Sequence, residues 1–268
     1  MAHDTPSTDG RRCTAGILFA LPIEADAFER RVTDRRTWRS AGPTFQAGRL
    51  GDCSLAWCVT GIGGRAAARA TRLLIAGHRP AVIISAGFAG GLDPGLPRGS
   101  VVRPTAVVTA DPAGRLTLAG GDAAGLVLAG VDEPVVTPDD KRRLAAATGA
   151  AVVDMETHAI AAVAAAAGLP CRCLRVVSDD ASQALPREVA ALARPQSAAR
   201  RLGAVLGAFG RRPAVAVDLW RLYEHAVVDG RTLAAALEGA VRDLAASPIA
   251  FLPGAGPAGP AADRRRAT

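Results

Sequence analysis

The sequence predicts an α/β fold: one domain with a mixed, twisted central β-sheet flanked by helices. Three observations predict it. Short β-branched or aliphatic runs alternate with stretches of helical composition from residue 14 to about residue 180. Two of the runs, 45–50 and 53–60, are joined by Gly51-Asp52, which is hairpin chemistry and adds an antiparallel pair to the alternating order. A chain of 268 residues that is 49% hydrophobic and only 4% aromatic can fill one sizeable core, and must fill it with aliphatic side chains.

Taken in order, residues 14–21 read as a buried strand and 23–31 as a short helix beginning under Pro22. After the hairpin, 64–76 has helical composition, and 81–86 (AVIISA) is a continuous apolar run of the kind found in strands covered on both faces. A Gly-rich segment, 87–99, follows. Residues 101–110 and 115–119 read as strands about a turn at Asp111-Pro112-Ala113-Gly114. Thr137 is placed to cap a helix over 138–148, with Asp139 and Asp140 in its first turn. Val152 and Val153 form a short strand, 156–167 a helix and 171–178 (CRCLRVVS) another buried strand. From Pro195 onward the pattern is helical, with Leu219, Leu222, Tyr223 and Ala226 spaced as one packed face. The polar or Pro/Gly-rich ends, 1–12 and 251–268, are predicted to be disordered around a domain spanning 13–250.

The formal charge of +7 is almost wholly arginine, because Lys141 is the only lysine. The arginines are scattered in short pairs with no aromatic-interleaved basic patch, which argues against nucleic acid as a partner. Five cysteines and four histidines form no cluster with metal-ligand spacing, so neither a metal nor another cofactor is expected. The polar amino terminus lacks the layout of a secretory signal, and the longest apolar stretch, about 159–170, is too short to span a bilayer. A cytoplasmic protein is expected.

Three constellations could carry chemistry. Glu24 follows the first strand, where α/β folds place ligands, although a solvated first-turn residue is the plain alternative. Two glycine sets, Thr60-Gly61-Ile62-Gly63-Gly64 and Ser85-Ala86-Gly87-Phe88-Ala89-Gly90-Gly91, follow later strands. There, the backbone of Gly61, Gly63, Ala86, Gly87 and Phe88 could approach a ligand closely. Neither set is a P-loop or a dinucleotide fingerprint. Third, Asp154-Met155-Glu156 opens one helix, and Arg175 and Ser178-Asp179-Asp180 end the next strand. Carboxylates so placed can bind a vicinal diol and protonate a leaving group, or can simply cap helices.

The ordered segments GILFALPIEA, TGIGG, SAGFAGGLDPGLPRGSVV and VVDMETHAIAAVAAAAGLPCRCLRVVSDDA resemble the superfamily of methylthioadenosine/S-adenosylhomocysteine nucleosidases and purine nucleoside phosphorylases, over about residues 14–182. The resemblance implies a purine nucleosidase that hydrolyses the N-glycosidic bond of an adenosine-type, 5′-substituted nucleoside and works as a homo-oligomer, a homodimer being favoured. It implies that Glu24 activates the attacking water and that Met155 and Glu156 hold the ribose. Asp179 would donate a proton toward purine N7, with Ser178 and Arg175 as its supporting neighbours. A donor at Asp179 must hold its proton, for which burial or the like charge of Asp180 would serve.

Phosphorylases of this superfamily hold phosphate with arginines and a serine; here those positions carry Glu24, Ser85 and Phe88, which favours water as the nucleophile. Arg65, after TGIGG, is the residue that could still bind an anion. A phosphate-dependent phosphorylase and a non-catalytic nucleoside sensor therefore remain as alternatives. The aromatic residue that stacks on adenine in the nucleosidases is replaced by Pro134. The extension over 196–246 is more like the hopanoid-associated branch, whose substrate carries a large lipidic 5′ group.

Overall fold

The computed structural model describes residues 13–39, 42–111, 114–185 and 214–246. It consists of an eleven-stranded mixed sheet with helices on both faces. In chain order the elements are β1 (Ala15–Phe19), α1 (Pro22–Glu29), β2 (Thr33–Arg39), β3 (Thr44–Leu50), β4 (Cys53–Val59), α2 (Gly64–His78), β5 (Val82–Gly91), β6 (Val101–Val102), β7 (Ala106–Val108), β8 (Leu116–Thr117), β9 (Val127–Gly130), α3 (Pro138–Thr148), β10 (Val152–Asp154), α4 (Thr157–Ala166), β11 (Cys171–Asp179) and α5 (Ala214–Ala246).

β5 is the branch point of the sheet. β11 runs parallel along it from Ile83 to Gly90. Its other edge is shared: β1 pairs with Val82–Ser85, and β10 pairs antiparallel with Gly90 and Gly91. Between those partners, Ala86 to Ala89 pair with neither strand, and this gap becomes one wall of the site.

Side-chain alternation along the buried strands builds a core on each face. Ala15, Ile17 and Phe19 of β1, Val82, Ile84 and Ala86 of β5, and Leu174 and Val176 of β11 pack with Phe28 of α1 and Leu233, Leu237 and Val241 of α5. Leu18, Ile83, Cys171, Cys173 and Val177 point the other way, onto Ala67, Ala70 and Leu74 of α2 and Ile160, Ala161 and Ala164 of α4. With so few aromatics, one edge-on pair, Phe28 against Trp57 at 5.7 Å, supplies much of the bulk on the first face.

The hairpin at Gly51-Asp52 forms as predicted, with Leu50 opposite Cys53. Thr137 caps α3, its hydroxyl accepting from the Asp140 N–H at 3.1 Å. Several expectations need correction. The strand expected over 81–86 runs further: β5 continues to Gly91, because Cβ atoms at Gly90 and Gly91 would crowd Val153 and the Asp179 carbonyl, and glycine lets those strands close up. The stretch 101–110 is two short strands, broken at Arg103-Pro104-Thr105. Strands β2 and β9 were not anticipated; β2 (TDRRTWR) is polar and mostly exposed, an edge strand that carries no hydrophobic alternation.

Of the face expected over 219–226, Tyr223 is 56% exposed and Ala226 partly buried, while the side chains of Leu219 and Leu222 lie outside the described residues. Among the described side chains, the buried stripe of α5 is Leu233, Ala234, Leu237, Val241 and Leu244. The predicted disordered ends, and the helical pattern over 195–213, lie outside the described residues. Among the described residues no helix is long and apolar enough to cross a membrane.

Candidate active site

The carboxyl ends of β1, β5, β10 and β11 meet around a cavity of about 190 Å³. Glu24, Phe88, Met155, Glu156, Ser178 and Asp179 all line it, although 155 positions separate the first of them from the last. Ile62, Val131, Pro134, Val135, Val153 and Leu185 make the rest of its wall largely apolar, with Asp154 also at its edge. Among the described residues no arginine or lysine lines it.

Glu24 is at the third position of α1 and is 3% exposed. Its carboxylate folds back over the helix start, where Oε2 accepts from the N–H groups of Ala20 and Leu21, both at 2.8 Å. Oε1 accepts from the Phe88 N–H, also at 2.8 Å, on the stretch of β5 that neither β1 nor β10 covers. Three backbone donors thus fix one buried carboxylate. Burial raises its pKa, opposed by those donors and by the charge of Arg175. Gly87 makes the approach possible, since a Cβ there would fall 2.7 Å from Glu24 Oε1.

Glu156 sits just before α4, with Oε1 accepting from the Gly63 N–H at 2.6 Å. Gly63 holds φ at +99°, a conformation that side chains rarely adopt, and so aims its N–H at the carboxylate. Burial first, and then repulsion from Asp154, push the pKa of Glu156 up to about 7.

Asp179 ends β11. Its Oδ1 accepts from the Ser178 hydroxyl at 2.8 Å, and its Oδ2 lies 2.5 Å from the ammonium of Lys141, which also donates to the Asp180 carbonyl at 2.6 Å. Asp180 turns its own carboxylate away, to the N–H and hydroxyl of Ser182. The partner of Asp179 is therefore a buried cation from α3, and the like-charge contact with Asp180 expected from sequence is not formed.

Arg175 needs a similar correction. It is 2% exposed, does not line the cavity and does not touch Asp179. Its guanidinium donates to Asp154 Oδ2, to the Ser85 hydroxyl at 2.7 Å and to the Thr157 hydroxyl at 2.6 Å. It supports the β10 carboxylate that borders the site, and it neutralises charge beneath Glu24 and Glu156. Of the backbone positions expected at the pocket, Phe88 lines it, whereas Gly61, Gly63, Ala86 and Gly87 do not. Gly63 and Gly87 act on the two glutamates instead. Arg65 is exposed and not among the lining residues. Sequence reasoning named Asp154 only within the Asp154-Met155-Glu156 constellation and missed Lys141 and Leu185; the one available signal was that Lys141 is the only lysine among 32 basic residues.

Among the described residues no group of three or more His, Cys, Asp or Glu is placed to hold a metal ion.

A family model described as the phosphorylase superfamily matches residues 14–124 and 123–209, most of the chain. The chain belongs to the phosphorylase superfamily. Within this superfamily it is 35% identical over 88 residues to the 5′-methylthioadenosine/S-adenosylhomocysteine nucleosidase of Colwellia psychrerythraea, a match spanning 33% of this chain and 36% of that enzyme. The fold extends further than that local match. A 5′-methylthioadenosine nucleosidase variant from Helicobacter pylori, solved with 5′-methylthioadenosine in its active site, superposes with a TM-score of 0.67 over 87% of this chain and 100% of that one, at 20% identity. The futalosine hydrolase of the same organism gives 0.67 over 87% and 98%, at 18% identity. This phosphorylase-superfamily chain thus shares the mixed α/β architecture of both.

Proposed function

We propose that this member of the phosphorylase superfamily is a purine nucleosidase that hydrolyses the N-glycosidic bond of an adenosine-type, 5′-substituted nucleoside. One observation carries the reading: Glu24, Glu156 and Asp179 line the same small, largely apolar cavity. Breaking the C1′–N9 bond leaves oxocarbenium character on the sugar and an electron pair on the base, so the site needs negative charge at the ribose and a proton at the purine. Glu156 beside Met155 supplies acceptors for the ribose hydroxyls. Asp179 faces the base and protonates N7. Glu24, held by three N–H groups and made more basic by burial, takes a proton from the water that adds to C1′. The relatives act in the same sense, being a methylthioadenosine/S-adenosylhomocysteine nucleosidase and a futalosine hydrolase.

Water is favoured over phosphate because a dianion would meet Glu24 with no cation among the described residues that line the cavity, Arg175 being committed to Asp154. Pro134 at the wall gives the base an aliphatic surface in place of a stacking ring. The test is product identity over a panel of adenosines with different 5′ groups, with and without phosphate. Free base and free ribosyl product, at a rate indifferent to phosphate, are expected; ribose 1-phosphate formed only with phosphate would replace the hydrolase by a phosphorylase. The same reading expects a cytoplasmic homodimer, which sedimentation of the purified protein checks.

A further inference from the structure

Lys141 is fully buried, and its ammonium spends two hydrogen bonds at the end of β11, one on Asp179 Oδ2 and one on the Asp180 carbonyl. Nothing in the proposed chemistry uses it. Burying an ammonium is costly unless it is paired, and among the described residues its one carboxylate partner is the group that must carry a proton to the base. An ion-paired carboxylate has no proton to give. Both facts are accommodated if the proton that reaches the base starts on the lysine.

We infer that Lys141 is the positioning residue that recharges Asp179, passing its ammonium proton through that carboxylate to the departing purine. The inference rests on the nucleosidase reading above. As the C1′–N9 bond breaks, its electron pair passes to the base; Lys141 gives a proton to the Asp179 carboxylate and the carboxyl so formed passes one to N7. One N–H bond of Lys141 breaks and one N7–H bond forms, so Asp179 ends as the carboxylate it began and Lys141 is left a neutral amine. The water that adds to C1′ loses its proton to Glu24. Release of that proton to solvent and uptake of one by Lys141 restore the resting state, so the sum is nucleoside plus water to base plus sugar.

The residue type fits this role. Of 32 basic residues 31 are arginines, whose guanidinium does not deprotonate in proteins, and the exception stands on the proton donor. Its surroundings also leave the pair isolated. Asp179 and, further off, Asp180 are the charged groups that face it from β11. On its own helix Arg142 and Arg143 turn outward to Asp139 and Asp140, and in the preceding loop Asp132 and Glu133 are exposed.

The test compares the unaltered protein with Lys141→Met and Lys141→Arg on one purine nucleoside, reading kcat, KM, the pH profile and the melting temperature. A relay predicts kcat lower by about 10²-fold in both variants with KM within about three-fold. In Lys141→Met the basic limb of the profile should also move, because the group that recharges Asp179 is gone. Arginine preserves the ion pair, so Lys141→Arg decides the matter if Lys141→Met does not fold. Near-normal kcat in Lys141→Arg, or a fall with the basic limb unmoved in Lys141→Met, would overturn the relay and leave a structural clamp. An unaltered protein inert on every nucleoside would instead remove the nucleosidase reading, and the relay with it.

Discussion

A Cβ atom on Gly87 would lie 2.7 Å from Oε1 of Glu24, so the buried carboxylate and the branch strand fit only while that position is glycine. Gly87→Ala should push Glu24 off the Phe88 N–H and strand a donor that neither β1 nor β10 can satisfy. We expect a loss of about 1–3 kcal/mol in stability and at least about ten-fold in base release. Denaturant melts and a base-release assay check it; unchanged values in both would mean that Glu24 has room to shift.

Asp179→Asn keeps the size of the side chain and removes the proton donor. Turnover should fall by about 10²- to 10⁴-fold while substrate affinity changes little. Single-turnover kinetics separate the two, and wild-type turnover would assign the protonation to another group.

Glu156 gives a pH prediction with a definite sign. Its pKa is raised from 4.5 to about 7 in the fold, so between those values the folded state binds more protons than the unfolded chain. Its contribution to stability is therefore complete below about pH 4.5 and is lost as pH rises toward 7. The protein should melt lower at pH 7 than at pH 5, and Glu156→Gln should flatten that slope. Calorimetry at several pH values measures it, and a wild-type slope in the variant would rule Glu156 out as its source. KM for a nucleoside should rise below about pH 7, since the protonated side chain accepts less well from ribose hydroxyls.

The Arg175–Asp154 pair makes a prediction about stability. Both side chains are almost wholly buried, and Arg175→Met leaves Asp154 charged without its partner. Removing one member should cost about 3–5 kcal/mol. The double variant Arg175→Met with Asp154→Leu should recover part of it, and urea titrations of the single and double variants give the coupling directly.

The elements that sequence made legible were those whose residues state a local preference. The apolar runs of β1, β5 and β11, the Gly51-Asp52 turn and the Thr137 cap are each dictated within a few residues, by burial on both faces, left-handed backbone freedom and a hydroxyl in reach of a free N–H. The strands that escaped, β2 and β9, have no such signature: β2 is polar on both faces, and β9 is four residues whose pairing with β7 and β10 is entirely non-local.

For the site, sequence alone supplied the residue types and their places at strand ends, which sufficed to nominate Glu24, Glu156, Ser178 and Asp179. It could not supply what each carboxylate faces. Only the tertiary structure set Lys141 on Asp179, turned Arg175 toward Asp154 and brought Phe88 and Gly63 to the two glutamates. The physical reason is that charge state and hydrogen-bond partner depend on groups within about 4 Å in space, where electrostatic interactions are strong, and packing of strands and helices decides which groups those are. Lys141 and Asp179 are 38 residues apart along the chain, and no local pattern in either segment anticipates the other.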